Sequence, residues 1–227
     1  MATRPVFVPV TAGDRLVSET QIEFAWNSGF APSQKKKNVV ALHNQAAQIG
    51  LTPILEVSTK SDEELGQRLS AFNLQVEFSD LRIPFESAYQ GSKVFRNGGP
   101  FTDLYELAAF EAKKDPRLRN SGPLMSFDFY GVKFPLTPKT AFYDWLYLHS
   151  LYRNRNFWRQ RLPIYAGFTD IEFNPEKSIN CQARTCAMFV SLEAKEQLDE
   201  SIDSFDTFVH LLVKAENAQS QISKRIA

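Results

Sequence analysis

The sequence predicts an α+β fold, a predominantly helical single domain packed around a small, mainly antiparallel sheet. Short segments with alternating apolar residues, such as 21–26, indicate half-buried strands, whereas 140–152 has apolar residues at helical spacing. The 227 residues, 43% of them hydrophobic, are enough to form one sizeable core. We expect a single domain over residues 1–213 and a polar C-terminal tail over residues 214–227 that frays.

In the N-terminal part of the chain, strands are predicted on both sides of one helix. Two prolines within residues 5–10 predict an extended segment at a sheet edge, because proline cannot donate a backbone hydrogen bond. Ser33 is predicted to cap a helix that runs to about Ile49. The other predicted elements here are strands over residues 21–26, 53–58 and 69–78 and a short helix beginning at residues 62–66.

The rest of the chain is predicted to be mostly helical. A helix over 84–95 ends where Asn97-Gly98-Gly99-Pro100 forms a turn. A hairpin is predicted over 127–133, and residues 168–183 read as a loop that enters a buried segment over 186–192, helical or extended. The remaining predictions are helices over 102–114, 140–152 and 205–213 and a basic loop over 116–122.

The predicted helix over 84–95 carries a polar stripe consisting of Glu86, Gln90 and Lys93, at positions i, i+4 and i+7. A carboxylate, an amide and an amine between apolar neighbours would tune one another's protonation. The alternative is an ordinary solvated helix face with a loose contact between Glu86 and Gln90. Spacing alone leaves both interpretations open.

Charge is balanced overall, with 26 basic and 26 acidic residues, so any contact with nucleic acid must be a local patch. Lys35, Lys36 and Lys37 at a helix start suit a phosphate, or form a solvated basic turn. Arginines interleaved with aromatic residues over 153–161 could hold a single strand, or form a solvated helix face.

Several classes of site and location are not indicated by the sequence. Cys181 and Cys186 are five residues apart without a neighbouring histidine cluster, so neither a metal site nor a disulfide framework is expected. The three histidines are scattered on apolar faces and are expected to be packing residues. No apolar run approaches the roughly 20 residues that cross a bilayer, and the N-terminus does not resemble a signal peptide. We therefore expect a cytoplasmic protein.

Short motifs along the chain follow the pattern of one known family. Leu69–Phe72 corresponds to a serine–asparagine–phenylalanine strand motif in which the asparagine is replaced. The polar stripe and Tyr89 correspond to a helix pattern of glutamate, Tyr/Phe-Gln and lysine, although Val94 separates the lysine from Phe95. A late motif of aspartate, tryptophan–glycine and asparagine corresponds to Asp170, Phe173-Asn174 and Asn180, and further matching runs are Ser33–Lys37, Phe142–Leu146, Phe168–Pro175 and Ser178–Ala183.

With these motifs in order over roughly residues 5–213, the chain resembles the NADAR-domain family, which includes YbiA. It is most similar to the branch that serves as antitoxin of DarT-type DNA ADP-ribosyltransferases. The resemblance implies an N-glycosidase that removes ADP-ribose from guanine in single-stranded DNA. It implies ADP-ribosylated single-stranded DNA and ADP-ribose as binding partners and a DarT-type toxin as a possible further partner, and it implies no cofactor.

The resemblance, together with the chemistry of glycosidic bonds, selects the site residues. Glu86 and Asp170 are the carboxyl pair, one acting as base and cation stabiliser and the other binding ribose hydroxyls or orienting water, with the two roles unassigned. Lys93 is either an orienting cation or a nucleophile that forms a Schiff base. The predicted substrate-binding residues are Ser33, Lys35, Lys36, Lys37, Ser70, Phe72, Tyr89, Gln90, Trp145, Glu172, Phe173, Asn174 and Asn180, and the predicted nucleic-acid-binding residues are Arg117, Arg119, Arg153 and Arg155.

Three alternatives to this function stay open. A YbiA-like glycosidase would act on a small metabolite such as a riboflavin-pathway intermediate, and its substrate binding would depend less on salt. A non-catalytic antitoxin would sequester its toxin, and a module that only binds ADP-ribose would release no product.

Overall fold

The computed structural model describes residues 1–29, 31–78 and 81–226. The chain forms two compact units. The split unit consists of Met1–Ser70 together with Asn154–Ala227, and the inserted unit consists of Ala71–Arg153. Helices predominate over small, mostly antiparallel sheets, which confirms the predicted α+β class.

The described elements follow in chain order. The strands are β1 (Ala2–Pro9), β2 (Val17–Phe24), β3 (Ile54–Glu56), β4 (Gln75–Phe78), β5 (Leu81–Pro84), β6 (Lys93–Phe95), β7 (Leu124–Phe129), β8 (Val132–Phe134) and β9 (Gly167–Thr169). The α-helices are α1 (Pro32–Gln48), α2 (Glu64–Arg68), α3 (Phe85–Gly91), α4 (Ala109–Lys114), α5 (Arg117–Asn120), α6 (Ala141–Tyr152), α7 (Arg155–Arg159), α8 (Gln182–Ala194), α9 (Leu198–Asp203) and α10 (Phe205–Ile226). Thr102–Glu106 and Leu162–Ile164 are 3-10 helices.

The sheet of the split unit has the strand order β2-β1-β9-β3. β1 pairs antiparallel with β2 along its whole length and meets β9 at one residue pair, Phe7 with Phe168. The prediction of an edge segment over 5–10 was therefore wrong, because β1 lies inside the sheet. Pro5 and Pro9 flank Phe7 and have no N–H to donate, which agrees with so short a contact between β1 and β9.

One pair of strands in this sheet is parallel. β3 and β9 run side by side, with Ile54 opposite Gly167 and Glu56 opposite Thr169. Gly167 faces the side chain of Val6, from which an added Cβ would be only 2.7 Å away, so glycine permits this close approach. The parallel pairing places the last residue of β3 beside the residue that immediately precedes Asp170.

Helix α1 covers this sheet with an apolar face, as its periodicity predicts. It begins at Pro32 with Ala31 in the N-cap position, so the prediction that Ser33 caps the helix was wrong. The side chain of Asn38 is fully buried, and its Oδ1 accepts a hydrogen bond of 2.7 Å from the Asn27 backbone N–H. The buried cluster around α1 consists of Val6, Ile22, Phe24, Val39, Leu42, Ala46, Ile54 and Ile171.

The C-terminal helices of the split unit extend further than predicted. The segment 186–192, which could have been helical or extended, lies within α8. The terminal helix was predicted over 205–213, but α10 continues to Ile226. Fraying from about Glu216 stays a prediction. The last residue of the predicted tail, Ala227, lies outside the described residues.

The inserted unit is built around closely packed aromatic rings. Phe85 of α3 is fully buried and meets the rings of Tyr143 and Tyr147 edge-on, with centroids 5.2 and 5.4 Å apart. Tyr89, one turn later, lies edge-on to Tyr143 at 5.1 Å. Because α6 supplies both tyrosines, its aromatic-rich sequence fixes the position of α3 and of the polar groups that α3 carries.

The predicted helix over 84–95 is shorter than expected. It ends at Gly91, where a Cβ would lie 2.5 Å from the ring of Tyr105. Lys93 then begins β6 and pairs with Phe127 of β7. Lys93 is therefore not on the helix with Glu86 and Gln90, and its side chain approaches them from the strand that follows.

Three further predictions in this part of the chain were wrong or incomplete. The strand expected over 69–78 is reduced to β4, because residues 71–73 form a turn after α2. The helix expected over 102–114 is divided into a 3-10 helix and α4, and the basic loop over 116–122 contains the single turn α5. The predicted hairpin is confirmed as β7 and β8, joined by Tyr130 and Gly131 with φ values of 51° and 83°.

Candidate active site

The polar stripe is buried in the inserted unit, and its three side chains are connected. Glu86 is 4% exposed and Gln90 is 6% exposed, so the interpretation as a solvated helix face was wrong. Gln90 donates from Nε2 to Glu86 Oε1 over 2.8 Å, and its Oε1 accepts from Lys93 Nζ over 2.6 Å. The amide of Gln90 thus links the carboxylate to the amine and holds the amine in a defined direction.

Lys93 has a half-buried amine beside one polar and one aromatic neighbour, Gln90 and Tyr89. Its Nζ lies 4.7 Å from the centroid of the Tyr89 ring. Burial lowers the pKa of Lys93 from 10.5 to about 8; the negative charge of Glu86 opposes this effect, and the positive charge of Lys113 adds to it. A sizeable neutral fraction is therefore present near pH 7 to 8, as a nucleophilic amine requires.

Sequence reasoning missed a second cation at this cluster, Lys113 of α4. Its Nζ lies 3.2 Å from Glu86 Oε1 and 4.8 Å from the centroid of the Phe72 ring. Phe72, a predicted substrate-binding residue, is half-buried, and its ring contacts the amine of Lys113 that pairs with Glu86. The predicted helix over 102–114 gave no reason to expect Lys113 here, because its inner face was assigned to apolar residues.

The split unit holds a second cluster, centred on a buried carboxyl that sequence reasoning missed. Glu56, the last residue of β3, is 2% exposed. Its Oε1 accepts from Ser58 Oγ over 2.6 Å and from the Ile171 backbone N–H over 2.9 Å, and its Oε2 accepts from Thr169 Oγ1 over 2.7 Å. The hydrophobic neighbourhood of Glu56 in the sequence, Ile54 to Val57, suggested only a buried strand.

Asp170 follows β9 directly and lies beside Glu56. Its Oδ1 accepts a hydrogen bond of 3.0 Å from the Glu172 backbone N–H. Burial raises the pKa of Asp170, with the charge of Glu172 adding to the effect, and burial together with the charge of Asp170 raises the pKa of Glu56. Asp170 and Glu56 thus lie together where the parallel strands β3 and β9 end.

The lysines at the start of α1 are partly held by acidic partners. Lys35 Nζ lies 3.3 Å from Glu172 Oε1 and 5.7 Å from the centroid of the Trp26 ring. Lys36 Nζ lies 2.5 Å from Asp62 Oδ1, whereas Lys37 and Ser33 are exposed. A phosphate at this helix start would therefore compete with Glu172 and Asp62 for two of the three lysines.

Arg4 is a further cation near this helix start that the sequence did not single out. Its guanidinium carbon lies 5.4 Å from the centroid of the Trp26 ring. Burial lowers the pKa of Arg4, while the charges of Glu176, Asp170 and Glu172 act in the opposite direction. The loop over residues 170–181, here called the Asp170 loop, is therefore surrounded by charges of both signs.

Other predicted substrate-binding residues are distributed over both units. In the inserted unit, Trp145 packs against Phe134 and His149 with centroids 5.2 and 4.0 Å apart. Ser70 is buried directly after α2 in the split unit. In the loop after Asp170, Phe173 meets Phe7 edge-on at 6.1 Å, Asn174 Oδ1 accepts from the Glu176 backbone N–H, and Asn180 is half-buried.

Three of the four predicted DNA-binding arginines are held in ion pairs. Arg117 donates to Asp103 and to Asp115 at distances of 2.6 to 3.2 Å. Arg153 pairs with Glu77, and Arg155 pairs with Asp199. Arg119 is exposed. Each paired arginine would have to share or leave its carboxylate to contact a phosphate.

His43 lies on the inner side of α1 and gives a pH dependence of stability that can be measured. Its Nε2 lies 2.8 Å from Thr169 Oγ1, and burial lowers the pKa of His43 from 6.5 to about 4. The unfolded chain then binds this proton more readily, so stability is lost as pH falls from about 6.5 to 4 and is unaffected by this group above that range. We expect a loss of about 3 kcal/mol in the free energy of unfolding from this residue.

Denaturant unfolding at several pH values between 4 and 7 measures this effect. His43→Gln is the matched variant, because an amide can donate to Thr169 but does not titrate. The slope of stability against pH should be shallower in His43→Gln than in the wild type. Equal slopes would show that His43 does not titrate as its burial indicates.

Two kinds of feature are absent from residues 1–29, 31–78 and 81–226. None of the helices described is both long enough and apolar enough to cross a membrane. Within the same ranges, no group of three or more His, Cys, Asp or Glu side chains is arranged to hold a metal ion.

Comparison with known proteins places the chain in a family. No curated protein matches it. A family model described as DarT1-associated NADAR antitoxin matches residues 2–222, nearly the whole chain. This match includes the polar stripe, the Asp170 loop and the two strands that hold Glu56 and Thr169. The chain therefore belongs to the family of DarT1-associated NADAR antitoxins.

Proposed function

We propose that this antitoxin is a glycosidase that removes ADP-ribose from guanine in single-stranded DNA and so reverses the modification made by a DarT-type toxin. The family supports an antitoxin role and a toxin partner. The observation that carries the enzymatic part is the half-buried amine of Lys93, bonded to Gln90 and lying over the Tyr89 ring. A protein that acts only by sequestering its toxin has no need of such an amine.

The neutral amine of Lys93 attacks the anomeric carbon of the ADP-ribose. A new C–N bond forms between the anomeric carbon and Lys93 while the C–N bond between that carbon and guanine breaks. The electron pair of the broken bond leaves with guanine, which takes up a proton. The sugar ring opens to give an imine between its first carbon and Lys93. Water then adds to the imine, and ADP-ribose is released together with the free amine.

Glu86 has the role of electrostatic stabiliser in this scheme. Positive charge develops on the sugar as the C–N bond breaks, and a carboxylate in a dry site lowers the barrier to that step. Gln90 sets the direction of the amine by accepting its hydrogen bond over 2.6 Å. That Asp170 takes part in the same reaction stays a prediction. If it does, Asp170→Asn should keep the fold and lose hydrolysis.

The pH dependence of the rate distinguishes the two possible roles of Lys93. The pKa of Lys93 is lowered to about 8, so a nucleophilic amine gives a rate that rises with pH through about 8 and then levels off. An orienting cation gives the opposite result, since the rate falls as Lys93 loses its proton. Single-turnover release of ADP-ribose between pH 6 and 10 measures this dependence.

The decisive experiment is incubation of the protein with a single-stranded oligonucleotide that carries ADP-ribose on guanine. The proposal predicts release of free ADP-ribose and recovery of unmodified guanine, and borohydride added during turnover should trap a covalent adduct on Lys93. Binding to the toxin without ADP-ribose release would favour sequestration. Release from a small N-glycoside but not from DNA, with little dependence on salt, would favour a metabolite enzyme.

A further inference from the structure

Glu56 is buried in the split unit and is not part of the reaction scheme described above. It lies at the end of β3, and its parallel partner β9 ends at Thr169, one residue before Asp170. Glu56 and Thr169 are 113 positions apart in the sequence. Their contact is therefore made by the sheet and not by local chain geometry.

The hydrogen bonds of Glu56 hold the chain on both sides of Asp170. One carboxyl oxygen accepts from the hydroxyl of Thr169, which precedes Asp170, over 2.7 Å. The other accepts from the backbone N–H of Ile171, which follows Asp170, over 2.9 Å. Ser58 donates to the same oxygen as Ile171 over 2.6 Å and so fixes the rotamer of Glu56.

The surroundings of Glu56 prevent it from turning away. Its side chain is 2% exposed, and Gly66 packs directly against its backbone carbonyl, where an added Cβ would lie 2.0 Å from the oxygen. His43 extends the contact from α1, since its Nε2 lies 2.8 Å from the same Thr169 hydroxyl that bonds to Glu56. Gly66 thus confines the backbone of Glu56, and His43 holds the hydroxyl to which the carboxyl of Glu56 is bonded.

We propose that Glu56 is the positioning residue of Asp170: its carboxyl fixes the two residues that flank Asp170 and places a second acidic group beside it. This inference rests on the proposed function, in which Asp170 takes part in hydrolysis. A buried carboxyl with three hydrogen-bond donors restricts the loop at both residues that flank Asp170, because breaking any of these bonds would leave a buried polar group unsatisfied.

The second consequence is a coupled protonation of two neighbouring carboxyl groups. Two acidic groups that repel each other cannot both ionise in the ordinary range, so removing the charge of one lowers the pKa of the other. Burial and the charge of Asp170 raise the pKa of Glu56, in agreement with their proximity. The charged or titratable groups that face Asp170 are Glu56 from β3, Arg4 from β1, Glu172 from its own loop and Cys181 from the start of α8.

Glu56→Gln separates the hydrogen bonds of Glu56 from its charge. The glutamine oxygen still accepts from Ile171 and Ser58, whereas the negative charge is lost. Carbon-13 NMR of labelled glutamate, with the Glu56 signal assigned by comparison with Glu56→Gln, follows the carboxyl directly and needs no substrate. We expect the apparent pKa of Glu56 to fall in Asp170→Asn, because the charge of Asp170 that raises it is lost. The Ile171 amide signal should stay close to its wild-type position in Glu56→Gln.

Glu63→Gln is the matched control. Glu63 is an exposed glutamate of the same unit, and it accepts a hydrogen bond from Tyr165 and not from the Asp170 loop. The titration of Glu56 should be unchanged in this variant. An unchanged Glu56 titration in Asp170→Asn as well would overturn the coupling between the two carboxyl groups.

Activity gives the second readout. Glu56→Ala removes the hydrogen bonds, so kcat should fall about 10- to 100-fold with little change in KM, because a displaced catalytic group slows chemistry more than binding. Glu56→Gln should recover most of this loss at its own pH optimum. Equal loss in both variants would overturn the positioning role. If neither the wild type nor any variant hydrolyses the substrate, the proposed function fails. The NMR titration still tests the contact between Glu56 and Asp170 in that case.

Discussion

Lys93→Ala is expected to abolish ADP-ribose release, with kcat lowered by at least about 10³-fold. The variant removes the amine that forms the covalent bond in the proposed scheme, and water alone must then attack the anomeric carbon. The fold should be retained, because the Lys93 side chain is half-buried and the strand pairing of β6 with β7 uses only its backbone. Release of ADP-ribose from the modified oligonucleotide measures the rate.

Two variants make this result specific. Lys93→Arg keeps a positive charge at the site but has no nucleophilic amine, so it should be as inactive as Lys93→Ala. Lys114→Ala removes an exposed lysine of α4 that lies 3.8 Å from the centroid of the Phe110 ring, and it should keep full activity. Substantial activity in Lys93→Arg would assign Lys93 the role of orienting cation and would remove the covalent step.

Glu86→Gln is expected to lower kcat by about 10²- to 10³-fold. The substitution is nearly isosteric and keeps an oxygen that can accept the hydrogen bond from Gln90, which is 2.8 Å long in the wild type. It removes the negative charge that stabilises the developing cation and that pairs with Lys113 at 3.2 Å. The rate constant for a single turnover measures the effect, and the Lys93 pKa should fall further because the opposing charge of Glu86 is lost.

Glu111→Gln is the matched control for this prediction. Glu111 lies in the first turn of α4 and is exposed, so neutralising it changes the net charge by the same amount without touching the polar stripe. Its rate should equal that of the wild type. If Glu86→Gln is also fully active, Glu86 does not stabilise the developing cation.

The polar stripe illustrates how far the sequence leads. Its three residues do come together, but the spacing argument was only partly correct, because the helix ends at Gly91 and Lys93 lies on the next strand. The helix length depends on the pairing of Lys93 with Phe127 and on the close approach of Tyr105 to Gly91. Both are contacts with distant parts of the chain, which local periodicity does not report.

Glu56 illustrates what the sequence could not predict. A glutamate inside an apolar strand such as Ile54–Val57 is uncommon, and this is the one signal that was available. Its partners Thr169 and Ile171 are specified only by the parallel pairing of β3 with β9. By contrast, the strands β2 and β3, the helices α1 and α6 and the β7–β8 hairpin were predicted near their observed positions, because their signals are local.

The division of the chain has a consequence for how the protein is made. All of Ala71–Arg153 is synthesised between β3 and β9, so the ribosome must complete the inserted unit before Glu56 can meet Thr169. The inserted unit is one continuous stretch and can acquire its aromatic core during translation, whereas the sheet of the split unit waits for its last strand. A truncated or prematurely released chain would consequently carry the Lys93 cluster but lack the acidic cluster around Asp170.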